Sequence, residues 1–167
     1  MQQLLQNPFS LKPFHEGLAS NAAAINAASN RIASFDQSKR NTLVEVLHRQ
    51  YEHLNPNQEI RKQIDTLSAS NTVTITTGHQ LNIFTGPLFF WYKILDVINM
   101  ALAMQKLDSK HQFVPIFWMA SEDHDLEEIN HFFLGEQKVR WESTAAGPVG
   151  RMPTSGLEAV LENLNPY

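Results

Sequence analysis

Val73-Thr74-Ile75-Thr76-Thr77-Gly78-His79-Gln80-Leu81-Asn82-Ile83-Phe84-Thr85-Gly86-Pro87-Leu88-Phe89-Phe90-Trp91-Tyr92-Lys93 is the stretch whose reading decides the fold. Its first five residues are β-branched, which restricts χ1 in a helix and suits a pleated surface, so they read as a buried strand ended by a turn at Gly78. Beyond the turn, Leu88, Trp91, Tyr92, Leu95, Ile98 and Leu102 recur at three- and four-residue intervals and fall on one face of a helix. Pro87 is pre-set for the first helical turn, with Thr85 or Gly86 as its cap. This order places unpaired N–H groups and a partial positive charge beyond the strand's carboxyl end, where phosphate or another anion binds.

Working outward, Phe113–Ala120 is a second apolar run. Strand, helix and strand in succession predict a βαβ unit with a parallel sheet and a right-handed crossover. Pro115 cannot donate to a ladder and should sit early in that strand or on its less-paired side. The sequence before the decisive stretch is helical in pattern, over Phe14–Phe35, Ser38–Leu54 and Gln58–Ser70, with Asn55-Pro56-Asn57 as a break. Its charges read as a solvated face. Downstream, Asp125 and Glu128 have capping-box spacing, Val139–Trp141 suits a short strand, and Leu157–Leu164 a final helix after a loop rich in Gly and Pro. Residues 1–71 therefore form a helical leader, and residues 72–167 an α/β portion.

The 167 residues suit one domain, and 43% hydrophobic with 18% charged residues is the composition of a soluble globular protein. A net charge of −4 argues against a dedicated nucleic-acid binder, which carries a basic face. Without cysteine there is no disulfide, thiol nucleophile or thiolate metal site, which fits a cytoplasmic protein. The first residues lack a signal peptide's basic and apolar regions. The helix after Pro87 comes nearest to bilayer length, but Lys93, Asp96 and Asn99 interrupt it, so no membrane span is expected.

Two motifs can carry chemistry. The first joins Thr77, Gly78, His79 and Gln80 to Thr85, Gly86, Pro87 and Lys93: glycine admits close approach of an anion, histidine donates a hydrogen bond or proton, and a helix N-terminus supports negative charge. It matches neither the phosphate loop nor the three-glycine dinucleotide fingerprint. The plain alternative is a turn glycine, a loop histidine and a helix-starting proline. The second is Glu122, Asp123, His124 and Asp125 with Glu127, Glu128 and His131, a density of carboxylates and imidazoles suited to acid–base work, an amine anchor or a divalent metal. On a helix, His124, Glu128 and His131 would share a face, as a metal-dependent hydrolase would need. The spacing is not that of the His-Glu-x-x-His zinc signature. An acidic first turn complementing the helix dipole explains Asp123, Asp125 and Glu127 without function, but explains the two histidines less well.

Thr77-Gly78-His79-Gln80, Phe84-Thr85-Gly86-Pro87-Leu88 and Tyr92-Lys93, followed by Val114-Pro115-Ile116-Phe117-Trp118-Met119-Ala120-Ser121-Glu122-Asp123-His124-Asp125 and Glu128-Ile129-Asn130-His131, resemble the bacillithiol biosynthesis cysteine-adding enzymes. The resemblance is close over residues 72–131 and looser elsewhere. It implies a partial Rossmann-like parallel sheet of the class I nucleotidyltransferase type, and a ligase that joins cysteine to glucosaminyl malate through an amide. It further implies an ATP site, with or without Mg²⁺, at Gly78, His79, Gln80, Thr85, Gly86 and Lys93, and activation of a carboxylate as an adenylate. Asp123, His124 and Asp125 would face the same crevice as catalytic groups beside His79, with Glu122 or Asp123 on the cysteine ammonium and His131 on substrate. Members of the family are several times longer, with a second Rossmann half and a coiled coil that supports a homodimer. The chain therefore reads as an N-terminal portion, inactive as a ligase by itself. The competing expectation is a noncatalytic α/β module that binds a nucleotide or small acid, or simply mediates assembly.

Overall fold

The computed structural model describes residues 20–84, 86–162 and 164. Two compact units divide the chain, one running up to Ile75 and including Ile98–Pro115, the other made of Thr76–Val97 and the chain from Ile116.

In the first unit three helices precede the sheet. Helix α1, Asn21–Ser34, starts where Ser20 Oγ accepts the Ala23 N–H at 3.1 Å; the part of the expected helix before residue 20 lies outside the described residues. Helix α2, Gln37–Tyr51, is capped by Asp36 and tightens into a 3₁₀ turn, Glu52–Leu54, before Asn55 turns left-handed at φ 45°. Helix α3, Gln58–Thr66, is capped by Asn57 and ends four residues earlier than its apolar spacing suggests. The chain turns there because Thr72 Oγ1 donates to the Thr66 carbonyl at 2.7 Å and Thr72 N–H to that of Ala69 at 3.1 Å. Not every charge on these helices is solvated. Arg40 is buried, donates to the Leu67 carbonyl at 3.3 Å and lies 4.9 Å above the Phe35 ring.

Strand β1 is Thr72–Gln80 and strand β2 is Gln112–Ala120; they pair, with helix α4, Leu88–Leu107, between them in sequence. Near the strand starts, Gln112 N–H donates to the Asn71 carbonyl; near the ends, Gly78 lies against Trp118. Both strands advance together, so the pair is parallel. Val73 and Ile75 pack with Ala28, Ala101, Met104 and Phe113, whereas the alternate residues Thr74 and Thr76 are exposed, so β1 is buried on one face rather than throughout. Pro115 is the fourth residue of β2, which pairs only with β1 among the described residues and so keeps an edge that needs no N–H. At the α4–β2 connection, Asp108 is buried and bonded to His111 Nδ1 and the Lys110 N–H, contacts that hold its carboxyl below the usual carboxylate range, the His111 bond foremost.

Two expectations are corrected here. Gly78 does not end the strand: β1 runs through it to Gln80, and its backbone has no positive φ. A Cβ at Gly78 would lie 2.9 Å from the Trp118 carbonyl oxygen and 3.1 Å from Trp118 Cβ, so the residue is glycine because two strands meet closely there. The second correction concerns α4. Leu88, Trp91, Tyr92, Leu95, Ile98 and Leu102 are exposed, and its buried residues are Val97, Ala101 and Met104. The helix is apolar nearly all round, so spacing alone could not tell which stripe faces inward.

In the second unit, helix α5, Leu126–Ile129, leads into strand β3, His131–Leu134, and strand β4, Gln137–Arg140, an antiparallel hairpin with His131 opposite Arg140. Gly135, at φ 61°, supplies the first residue of its two-residue turn. The strand expected at Val139–Trp141 is thus the second arm of a hairpin whose first arm includes His131. A 3₁₀ turn, Val149–Arg151, and helix α6, Leu157–Glu162, follow. Ile83, Val139, Trp141 and Val160 make the core of this unit, with Leu126, Phe132 and Met152 against it.

Candidate functional site at the ends of the two parallel strands

Both motifs belong to the second unit, and two contacts join them. Gln80 Nε2 donates to Glu128 Oε2 at 2.7 Å, and Ile83 N–H donates to the Ile129 carbonyl at 3.3 Å. The final residue of β1 and the loop after it are therefore held against α5. Glu128 is where the capping box departs from its sequence form: Asp125 Oδ1 accepts the Glu128 N–H at 3.3 Å as expected, but the Glu128 carboxylate turns to Gln80. Asp125 N–H goes instead to Asp123 Oδ1 at 3.4 Å.

His79 is half-buried at the end of β1. Its Nδ1 lies 3.1 Å from the Gln80 carbonyl oxygen and 3.3 Å from Asn82 Nδ2, and its ring meets Phe89 and Phe90 edge-on, each at 6.0 Å between centroids. These contacts hold the ring on its Nδ1 side. Gly86 has φ +65°, and a Cβ there would come within 3.1 Å of Asn82 Cβ, so both its backbone angle and its neighbour require glycine. α4 begins two residues later, with Pro87 accepting the Phe90 N–H at 2.9 Å. Thr85 lies outside the described residues. Lys93 donates to the Gly78 carbonyl at 2.9 Å and sits 4.7 Å above the Phe89 ring, so one of its donors braces β1.

In the second motif, Asp123 Oδ1 accepts the His124 N–H at 2.7 Å, shaping the loop that follows β2. Glu122 and His124 are exposed, and their side chains have no hydrogen-bond partner among the described residues. His131 begins β3 beside the buried Asn130, whose amide, with its nitrogen towards the Glu127 carbonyl and His131 Nδ1, accepts from Arg140 Nε at 3.3 Å. The shared helical face expected for His124, Glu128 and His131 does not form. α5 is a single turn, His124 precedes its cap and His131 lies in a strand. Among the described residues no three His, Asp or Glu side chains gather as metal ligands. One device that sequence reasoning passed over is Asn82, which ties the post-strand loop to His79 and to the Gln80 carbonyl at 3.1 Å.

A parallel βαβ unit with a glycine–histidine strand end and an acidic loop after the neighbouring strand defines a Rossmann-like α/β domain with a polar site where the strands end. A family model described as the N-terminal Rossmann-like domain of the bacillithiol biosynthesis protein BshC matches residues 1–166, and the chain belongs to that family. Similar proteins carry the provisional name cysteine ligase BshC. The one from Flavobacterium johnsoniae is 43% identical over 134 residues, 80% of this chain and 25% of its own length. The Christiangramia forsetii protein is 45% identical over 133 residues (77% and 25%), and that of Cytophaga hutchinsonii 45% over 125 (75% and 24%). The chain thus spans about a quarter of the length of the curated relatives it matches. Among the described residues no helix is long and apolar enough to cross a membrane.

Proposed function

We propose that this chain is the nucleotide- and cysteine-handling part of an ATP-dependent ligase that joins cysteine to glucosaminyl malate through an amide, in the cytoplasm and as part of a dimeric parent protein. The Gln80–Glu128 bond carries this reading, because it ties the end of β1 to the helix that follows the acidic loop. The relatives' name supplies the ligase class, and the family model the bacillithiol pathway.

ATP enters as a co-substrate whose phosphates suit the first motif. Gly86 allows the left-handed turn that leads into α4, the N-terminus of that helix offers N–H donors, and the His79 ring offers a further hydrogen-bonding nitrogen. Both histidine and helix terminus favour the charge that develops as a phosphate is transferred. At the second motif, Glu122 and Asp123 offer carboxylates suited to an ammonium group, and the exposed His124 imidazole is the candidate for proton transfer.

Calorimetric titration with ATP tests the assignment. Wild-type protein binds, His79→Ala weakens binding about tenfold or more, the scale of one lost charge-assisted bond, and His124→Ala binds as wild type. Absence of ATP binding by wild type would favour the noncatalytic module.

A further inference from the structure

We propose that the Val149–Arg151 turn is a third part of the site, locked onto the Ser121–Asp123 loop through Gly150 and presenting the Arg151 guanidinium to a carboxylate of the ligand. The inference rests on the reading that an amino acid sits at the Glu122–Asp125 loop.

Two successive amides bind the turn to the loop. Val149 N–H donates to the Asp123 carbonyl at 2.7 Å, and Gly150 N–H to that of Ser121 at 2.9 Å. Gly150 has no positive φ, so its backbone does not call for glycine. Its surroundings do. A Cβ would lie 2.5 Å from Ser121 Cβ and 2.9 Å from the Ser121 carbonyl oxygen, the tightest approach at any described glycine. From the other side, Val149 is buried and Met152 packs on the core of Ile83, Val139, Trp141 and Val160. The turn is closed by Arg151 N–H donating to the Pro148 carbonyl at 2.9 Å.

Arg151 follows directly. It is exposed, and its side chain has no hydrogen-bond or ion-pair partner among the described residues. Arg140 differs, being paired with Glu127 and Glu142, as does Lys93, bonded to Gly78. Arg151 ends a turn whose backbone is bonded to the Ser121–Asp123 loop, and its side chain is paired with none of Glu122, Asp123 and Asp125, so its planar fork is free for an incoming carboxylate. Acidic loop and arginine together match the two ends of a zwitterion: ammonium at Glu122 or Asp123, carboxylate at Arg151.

The test titrates wild type, Arg151→Ala, Arg151→Lys and Gly150→Ala with L-cysteine, with cysteamine, which lacks the carboxylate, and with 3-mercaptopropionate, which lacks the ammonium. Expected are a loss of L-cysteine affinity of about tenfold or more in Arg151→Ala, partial rescue by lysine, and unchanged cysteamine binding. Gly150→Ala reproduces the loss and removes hydrogen-exchange protection at the amides of positions 149 and 150. L-cysteine binding that Arg151→Ala leaves intact overturns the inference and keeps the amino-acid reading. Wild-type protein that binds only 3-mercaptopropionate, through Arg151, keeps the carboxylate assignment and overturns that reading. No binding of any probe overturns both.

Discussion

Gly78→Ala is expected to destabilise the protein by about 1–3 kcal/mol, the range for forcing extra volume into a closed contact. In an ordinary strand the same exchange would help, since glycine weakens strand interiors. Here the new methyl would fall 2.9 Å from the Trp118 carbonyl oxygen, a backbone atom that cannot swing aside, so β1 and β2 must part where the site begins. Lys93 bonds the Gly78 carbonyl, and Gln80 reaches Glu128 two residues on, so the displacement passes to both motifs. Thermal unfolding followed by circular dichroism should show a midpoint lower by roughly 2–4 °C per kcal/mol for a chain of this size. An unchanged midpoint would mean that the strands do not meet as described.

Met104→Ala should cost more, about 2–5 kcal/mol, because it leaves a cavity that its neighbours fill only in part. Met104 is 2% exposed and packs with Ala28, Ala101 and Phe113, joining α1, α4 and β2 within the first unit. Leu95→Ala on the same helix is the control. At 52% exposure it has little burial to lose and should fall within about 1 kcal/mol of wild type. Chemical denaturation reads both. Equal losses would show that the buried stripe of α4 is not Val97, Ala101 and Met104.

That stripe also marks where the sequence stops being informative. β-branched Val73–Thr77, the proline-led start of α4 and the Asp125 cap are local signals, and each element they predict is present. Which face of an all-round apolar helix is inward depends on what packs against it, and Leu88, Trp91 and Leu95 obey the helical period as well as the buried set does. Gly78 and Gly150 carry the same lesson. Each is glycine because a distant backbone lies against it, Trp118 in one case and Ser121 in the other, and nothing in the neighbouring sequence records that. The two motifs were legible as motifs, and the family resemblance implied one crevice for both, but the contact that joins them was not legible. Gln80 and Glu128 stand 48 residues apart, and local reasoning had already assigned Glu128 to a capping box. His131 was legible as a candidate metal or substrate contact but not as a strand residue, since the hairpin that holds it depends on pairing across the Gly135 turn.

The central claim is that the Gly78–Gln80 strand end and the Glu122–Glu128 loop and helix form one site. A double-mutant cycle on Gln80→Ala and Glu128→Ala, read by chemical denaturation, tests it most directly. A coupling of about 0.5 kcal/mol or more is expected, as for residues in contact, whereas single-variant losses that add to within about 0.3 kcal/mol would contradict a joined site.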